Sequence, residues 1–176
     1  MKRAHRPRVA VSSCLLGQPV RYDGEHKRNA CITDLLSAYF DWLPVCPEVG
    51  IGMGVPRPPI QLVKQGDGVH ALGREDANTD VTRALQAYAQ QVSDQLVSVS
   101  GYIFKSRSPS CGLTDTELFS LDGTLIGKTT GVFAAKLQIL FPDLPLIDEI
   151  ALAEPSLRDA FVQRVHDYQA VQRDFR

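Results

Sequence analysis

Three segments of this chain share one layout, a short apolar run that closes on small or turn-forming residues around a cysteine. They are Val9-Ala10-Val11-Ser12-Ser13-Cys14, Leu43-Pro44-Val45-Cys46-Pro47-Glu48 and Tyr102-Ile103-Phe104-Lys105-Ser106-Arg107-Ser108-Pro109-Ser110-Cys111. Apolar runs this short, bounded by turn signals, predict strands. Ligands of open α/β sheets bind in the crevice at the carboxyl ends of the strands, so thiols remote in sequence converge there on one centre. Three soft ligands with no fourth leave one coordination position open for substrate, which is the arrangement used in metal catalysis.

At 176 residues and 44% hydrophobic, the chain is long enough to bury one sizeable core and reads as a single domain over 1–176. Lysine plus arginine is 19 and aspartate plus glutamate is 20, so no basic excess draws it to a phosphate backbone, and a long nucleic acid is not an expected partner. The basic start, Met1 to Arg8, reads as a solvated tail. The apolar stretch behind it is too short and too polar for a signal segment or a membrane span. The expected location is a reducing cytoplasm, where four cysteines are reactive or metal-bound rather than paired. No C-x-x-C pair occurs, so zinc ribbons, thioredoxin-like redox sites and the bacterial ferredoxin run are unsupported.

The surroundings of the cysteines suit a site better than a core. After Cys14, Gly17 and Pro19 turn the chain toward Arg21-Tyr22-Asp23-Gly24. Cys46-Pro47-Glu48 sets a carboxylate two residues from a thiol, and glycines and prolines around Arg57 stiffen the loop that follows. Three serines, a cation and a proline of fixed φ precede Cys111. Cys31 is different, because Ile32, Leu35, Leu36, Tyr39 and Phe40 behind it follow helical spacing. It reads as a packed thiol, with a fourth-ligand role as the alternative.

The rest of the pattern predicts an α/β chain with a mainly parallel, Rossmann-like sheet of about five strands, helices on both faces and small hairpin insertions. Ile60–Val63 and Val69–Gly73 flank a glycine-containing loop, and Asp122-Gly123 sits between apolar runs as a primed hairpin turn. A helix is expected from about 80 to 98, capped by Asn78 or Thr79, with Val81, Leu85, Tyr88, Val92, Leu96 and Val99 inward. Another begins at Thr130 or Gly131 and carries Val132, Leu137, Ile139 and Leu140. Leu144–Asp148 supplies a last strand, and a helix from Pro155 buries Leu157, Phe161, Val162, Val165 and Tyr168.

Taken together, Val11-Ser12-Ser13-Cys14-Leu15-Leu16-Gly17 with Arg21-Tyr22-Asp23-Gly24, Val45-Cys46-Pro47-Glu48 with Pro56-Arg57-Pro58-Pro59, and Lys105–Gly112 resemble the bacterial domain-of-unknown-function family that includes the thiouracil desulfidases. The resemblance runs from about residue 8 to about 150, leaving the helix of 155–176 outside it. It implies a [4Fe-4S] cluster on Cys14, Cys46 and Cys111, with one iron lacking a protein ligand. It further implies non-redox removal of sulfur from a small thiolated nucleobase, giving uracil and sulfide. Glu48 is then the general base or proton carrier, with an ion pair to Arg57 or Arg21 as its structural alternative. Ser108 and Ser110 are the hydroxyls expected to act, while Tyr22, Asp23, Arg57 and Ser106 are expected to shape the substrate pocket. Free base and nucleotide are not distinguished, and neither is the oligomeric state. The rival classes are cluster-dependent thiolation, a redox protein with Cys31 as fourth ligand, and a zinc-binding interaction module.

Overall fold

The computed structural model describes residues 6–174; Met1–His5, most of the basic tail, lie outside the described residues. Four short strands, β1 (Arg8–Ser12), β2 (Asp41–Val45), β5 (Tyr102–Phe104) and β8 (Leu146–Asp148), form one sheet in the order β2-β1-β5-β8, and every neighbouring pair is parallel. β2 sits at the edge, where Pro44 leaves no ladder amide unmet. Side chains alternate through the sheet as the strand period requires. Val9, Val11, Ile103 and Ile147 face one core cluster with Ile32, Leu36 and Phe40. Ala10, Val45, Tyr102 and Phe104 face another with Ala89, Leu96, Phe133 and Leu137. Both faces are thus covered, as the apolar runs predict.

The helices are α1 (Pro47–Gly50), α2 (Thr82–Gln91), α3 (Ser93–Leu96), α4 (Val132–Leu140) and α5 (Pro155–Asp174). The helix expected over 80–98 is divided at Val92, and its start is organised by Asp80, not by Asn78 or Thr79. Asp80 Oδ1 accepts the Thr82 N–H at 2.9 Å, whereas Thr79 is spent on Asp76. Residues 31–40 form a π-type turn (Cys31–Leu35) and a 3-10 turn (Leu36–Ala38) in place of a regular helix. Ile32, Leu36 and Phe40, spaced by four, are buried, and Leu35 and Tyr39 are exposed. On α4 the buried face is Val132, Phe133, Ala134 and Leu137, while Ile139 is 73% exposed. On α5, Phe161 and Val165 are buried and Leu157 faces out. Among the described residues no helix is long and apolar enough to cross a membrane.

The two hairpins do more than insert. β3 (Ile60–Gln65) and β4 (Gly68–Gly73) pair antiparallel around Gly66-Asp67, where Gly66 takes a left-handed φ of 55°. β6 (Thr116–Phe119) and β7 (Leu125–Thr129) pair likewise, with a register shift at Leu118/Phe119. Their connection is an ordinary turn closed by Gly123 N–H to Ser120 O at 3.0 Å, then a left-handed glycine, and not the primed turn expected from Asp-Gly. Parallel pairing of Leu62 with Leu118 and Val63 with Phe119 joins the hairpins into a second sheet, β4-β3-β6-β7.

Candidate active site

The chain leaves β1 for β2 on one side and later places β5 on the other, so the strand order reverses between β1 and β5. That reversal opens a crevice at the strand carboxyl ends. All three strands that lead to a cysteine meet there. Cys14 sits in a 3-10 turn (Ser13–Leu16) after β1, stopped by Gly17 at φ 92°. Cys46 precedes α1, whose first residue is Pro47, and its carbonyl accepts the Gly50 N–H at 2.9 Å. Cys111 follows the serine-rich loop after β5. That loop is anchored to the start of α4: Val132 N–H donates to Pro109 O at 2.9 Å, Ala134 N–H to Ser110 O at 3.0 Å and Gly131 N–H to Gly112 O at 2.7 Å.

Cys14, Cys46 and Cys111 are free thiols lining one cavity of about 630 Å³. Among the described residues no group of three His, Cys, Asp or Glu side chains is placed to hold a single metal ion. Burial pushes the Cys14 thiol up to about 11, opposed chiefly by the Lys105 ammonium. Burial also raises Cys46, and raises Cys111 well above the ordinary thiol range. Cys31 is elsewhere, packed near the Leu152 carbonyl and the Arg158 guanidinium at 4.0 and 3.9 Å, and does not line the cavity.

Glu48 projects from α1 into this cavity and is gripped from both sides. Arg57 Nε donates to Oε2 at 2.7 Å and Ser110 Oγ donates to Oε1 at 2.8 Å. Arg57 lines the same cavity and is already heavily bonded. Its side chain is 4% exposed, and its Nη1 also donates to the carbonyls of Val20 and Gly54, each at 2.9 Å. The structure separates the serines that the sequence leaves equivalent. Ser110 reaches Glu48, whereas Ser108 Oγ accepts the N–H groups of Ser110 at 3.2 Å and Cys111 at 3.1 Å, shaping the turn. Ser106 also lines the cavity and is engaged by Glu149: its Oγ donates to Oε1 at 2.7 Å and its N–H to Oε2 at 2.8 Å. Tyr22 lines the cavity beneath the Arg21 guanidinium, 5.5 Å from its ring centroid. Asp23 does not line it; its Oδ1 accepts the Glu25 N–H at 3.0 Å and braces the Arg21–Gly24 turn.

Several site residues escape a reading of the sequence. Lys105 Nζ pairs with Glu149 Oε1 at 2.5 Å, and Ser12 Oγ accepts the Lys105 N–H at 2.9 Å. Lys105 stands inside the quoted motif, yet its partner belongs to the loop after β8, and no local pattern announces the pair. Lys27, Arg74 and Lys128 also line the cavity and make no ion pair among the described residues. Arg107 alone among non-glycine described residues has a left-handed φ, 58°. Its own N–H is tied to Asp115 at 2.9 Å and that of Ser106 to Glu149, which holds the chain in this costly conformation.

The family profile described as 2-thiouracil desulfurase matches residues 9–149. The chain is 32% identical over 145 residues to the uncharacterized protein YbbK of Bacillus subtilis strain 168, covering 74% of this chain and 89% of that one. It is also similar to the solved structure of TudS, described as a [4Fe-4S]-dependent thiouracil desulfidase, with a TM-score of 0.67 and 30% identity over 88% of this chain and 97% of that one.

Proposed function

Because the chain belongs to the 2-thiouracil desulfurase family, we propose that it replaces the sulfur of a thiolated pyrimidine by water oxygen, releasing sulfide, with a [4Fe-4S] cluster on Cys14, Cys46 and Cys111. The observation that carries this reading is the meeting of three free thiols, Cys14 and Cys111 buried and Cys46 half-buried, around one cavity whose wall also holds the Glu48–Ser110 hydrogen bond. The donor set fits the cofactor: thiolates are the ligands of such clusters, and all three cysteines are free and line the same cavity. When bound, the cluster supplies an iron without a protein ligand, a soft acceptor for a thiocarbonyl sulfur.

The chain's own residues do the rest. Glu48 Oε1, facing Ser110, takes the proton of the attacking water, and the Ser110 hydroxyl relays it. Arg57 fixes Glu48 by its Nε donation and keeps the carboxylate in one orientation. The Lys105 ammonium, held by Glu149, places positive charge beside Cys14. Atoms balance as one C=S and one water giving one C=O and hydrogen sulfide, so no electron is required. Lys27, Arg74 and Lys128 put cations on the cavity wall in excess of the Glu117 carboxylate, which lines it in register with Lys128, and this balance suits a substrate bearing an anionic group such as a phosphate.

Protein purified without oxygen is expected to be brown, with about four irons per chain. Alanine at Cys14, Cys46 or Cys111 removes the colour, and Cys31→Ala keeps it. With thiouracil or its nucleotide, sulfide and the desulfurated pyrimidine appear in equal amounts without reductant, the nucleotide showing the lower KM. Full iron in all three single variants, or an absolute need for an electron donor, overturns the reading.

A further inference from the structure

Most cations on the cavity wall are either saturated or open to water. Arg57 and Lys105 each make three side-chain hydrogen bonds within the chain, and Lys27, Arg74 and Lys128 are exposed. Arg21, which lines the same cavity, is neither. Its side chain is 21% exposed, and its Nε is fully buried with no hydrogen-bond partner among the described residues. Asp23, its ion-pair partner, stands 3.4 Å from Nε and 3.4 Å from Nη2, and has already committed Oδ1 to the Glu25 N–H. The backbone beneath this loosely held side chain is fixed. Arg21 N–H donates to Glu25 O at 3.2 Å, its carbonyl accepts the Gly24 N–H at 2.9 Å, and Arg57 N–H donates to Tyr22 O at 2.9 Å. The preceding carbonyl, that of Val20, accepts Arg57 Nη1 at 2.9 Å and lies 4.0 Å from Cys46 Sγ. Arg21 therefore leaves the chain beside one of the thiols and beside the cation that grips Glu48.

A donor stripped of water and left unpaired weakens a fold, and where it belongs to a cavity wall the group that completes it is an acceptor on the ligand. On the desulfuration proposed above, we infer that Arg21 binds the pyrimidine itself, its guanidinium donating to the ring carbonyl oxygen that the reaction leaves untouched. In both 2-thiouracil and 4-thiouracil that oxygen and the sulfur sit on the two carbons flanking one ring nitrogen. A donor held at the oxygen therefore sets which carbon is presented to the thiols and Glu48, and serves either isomer. The planar guanidinium, with several donors in fixed directions, suits a carbonyl in the plane of a flat ring better than an ammonium does. Arg21 touches the substrate and moves no proton, so its role is binding and orientation. The exposed Lys27, Arg74 and Lys128 play no part in it, because a bare ring without any anionic group already carries the acceptor.

The test compares Arg21→Met with the unaltered enzyme, both purified anaerobically with cluster loaded, by calorimetry with two partial substrates. Uracil has the carbonyl and no sulfur, and pyridine-2-thione has the sulfur and no carbonyl. The substitution is expected to raise the Kd of uracil about ten- to a hundredfold and to leave that of pyridine-2-thione within about twofold. With 2-thiouracil, KM is expected to rise by a similar factor and kcat to change less, and Arg21→Lys, which keeps the charge and loses the fork, is expected to fall between. Equal weakening of both partial substrates, as a collapsed wall would give, overturns the inference, and so does an unchanged uracil Kd. If the unaltered enzyme releases no sulfide from 2-thiouracil, the desulfidase reading falls and this inference with it, whereas normal release with the KM of Arg21→Met unmoved overturns this inference alone.

Discussion

Each oxygen of Glu48 has its own donor, and the two donors are of different kinds. Arg57 is charged and nearly buried, while Ser110 is neutral and able to pass a proton on. Glu48→Gln therefore does two things at once: it removes a titratable base and leaves the Arg57 cation without its counter-charge. Turnover is expected to fall more than tenfold, and stability by on the order of 3 kcal/mol, because breaking one side of a buried pair strands the other. Separate measurement of kcat and of the urea midpoint checks both; a variant as stable as the parent would show that Arg57 does not depend on Glu48. The cysteines predict a pH effect in the iron-free chain. Cys14 rises from its ordinary 9.0 to about 11 on folding, and Cys46 and Cys111 move the same way. A raised folded value means that the stability tied to the neutral thiol is complete below pH 9 and drains as pH climbs toward 11. Urea midpoints of iron-free protein should accordingly drop on the alkaline side, and a flat profile there would contradict the burial of these thiols.

The loop that carries Ser110 and Cys111 is only as well placed as the element it leans on, the first turn of α4. At Gly131 an added Cβ would lie 2.6 Å from the backbone carbonyl of Ser110 and 2.9 Å from the Cys111 nitrogen, with no flexible side chain to give way. Gly131 has an ordinary φ of −61°, so the demand is for space and not for conformation. Gly131→Ala is expected to destabilise by about 1–3 kcal/mol and to cut iron content sharply while the circular dichroism spectrum stays native. Unchanged iron loading would show that the loop holds Cys111 without α4. The strands before the three cysteines are legible in sequence because short apolar runs meeting small residues have few other solutions. Residues 31–40 are misread because spacing by four at Ile32, Leu36 and Phe40 serves two irregular turns as well as one helix. Ile139 and Leu157 are misread because a helix of modest amphipathicity leaves some apolar residues outside without penalty large enough to forbid it.

Across the molecule, what a sequence conceals is whatever depends on a distant partner. The second sheet rests on two parallel pairs between hairpins, Leu62 with Leu118 and Val63 with Phe119, and neither hairpin signals the other. The Lys105–Glu149 pair is hidden for the same reason, whereas the pairing of Glu48 with Arg57, only nine residues away, is one of the two pairings that the sequence offers. α5 shows the converse, since it lies beyond the family match of 9–149 yet closes one face of the parallel sheet. Phe161 meets Phe40 edge-on at 6.3 Å and is buried beside Val165, so Phe161→Ala is expected to cost about 3–5 kcal/mol in chemical denaturation, and a loss below about 1 kcal/mol would show α5 to be dispensable. The adjacency of β2, β1 and β5 also sets an order of events in the life of the molecule. The thiols stand on loops that only the finished sheet brings together, so no nascent fragment presents the full set. On the proposed ligand set, iron delivered before β5 has docked would find at most two of its partners, so cofactor loading would be a late step and possession of the metal a certificate that the chain has completed its topology.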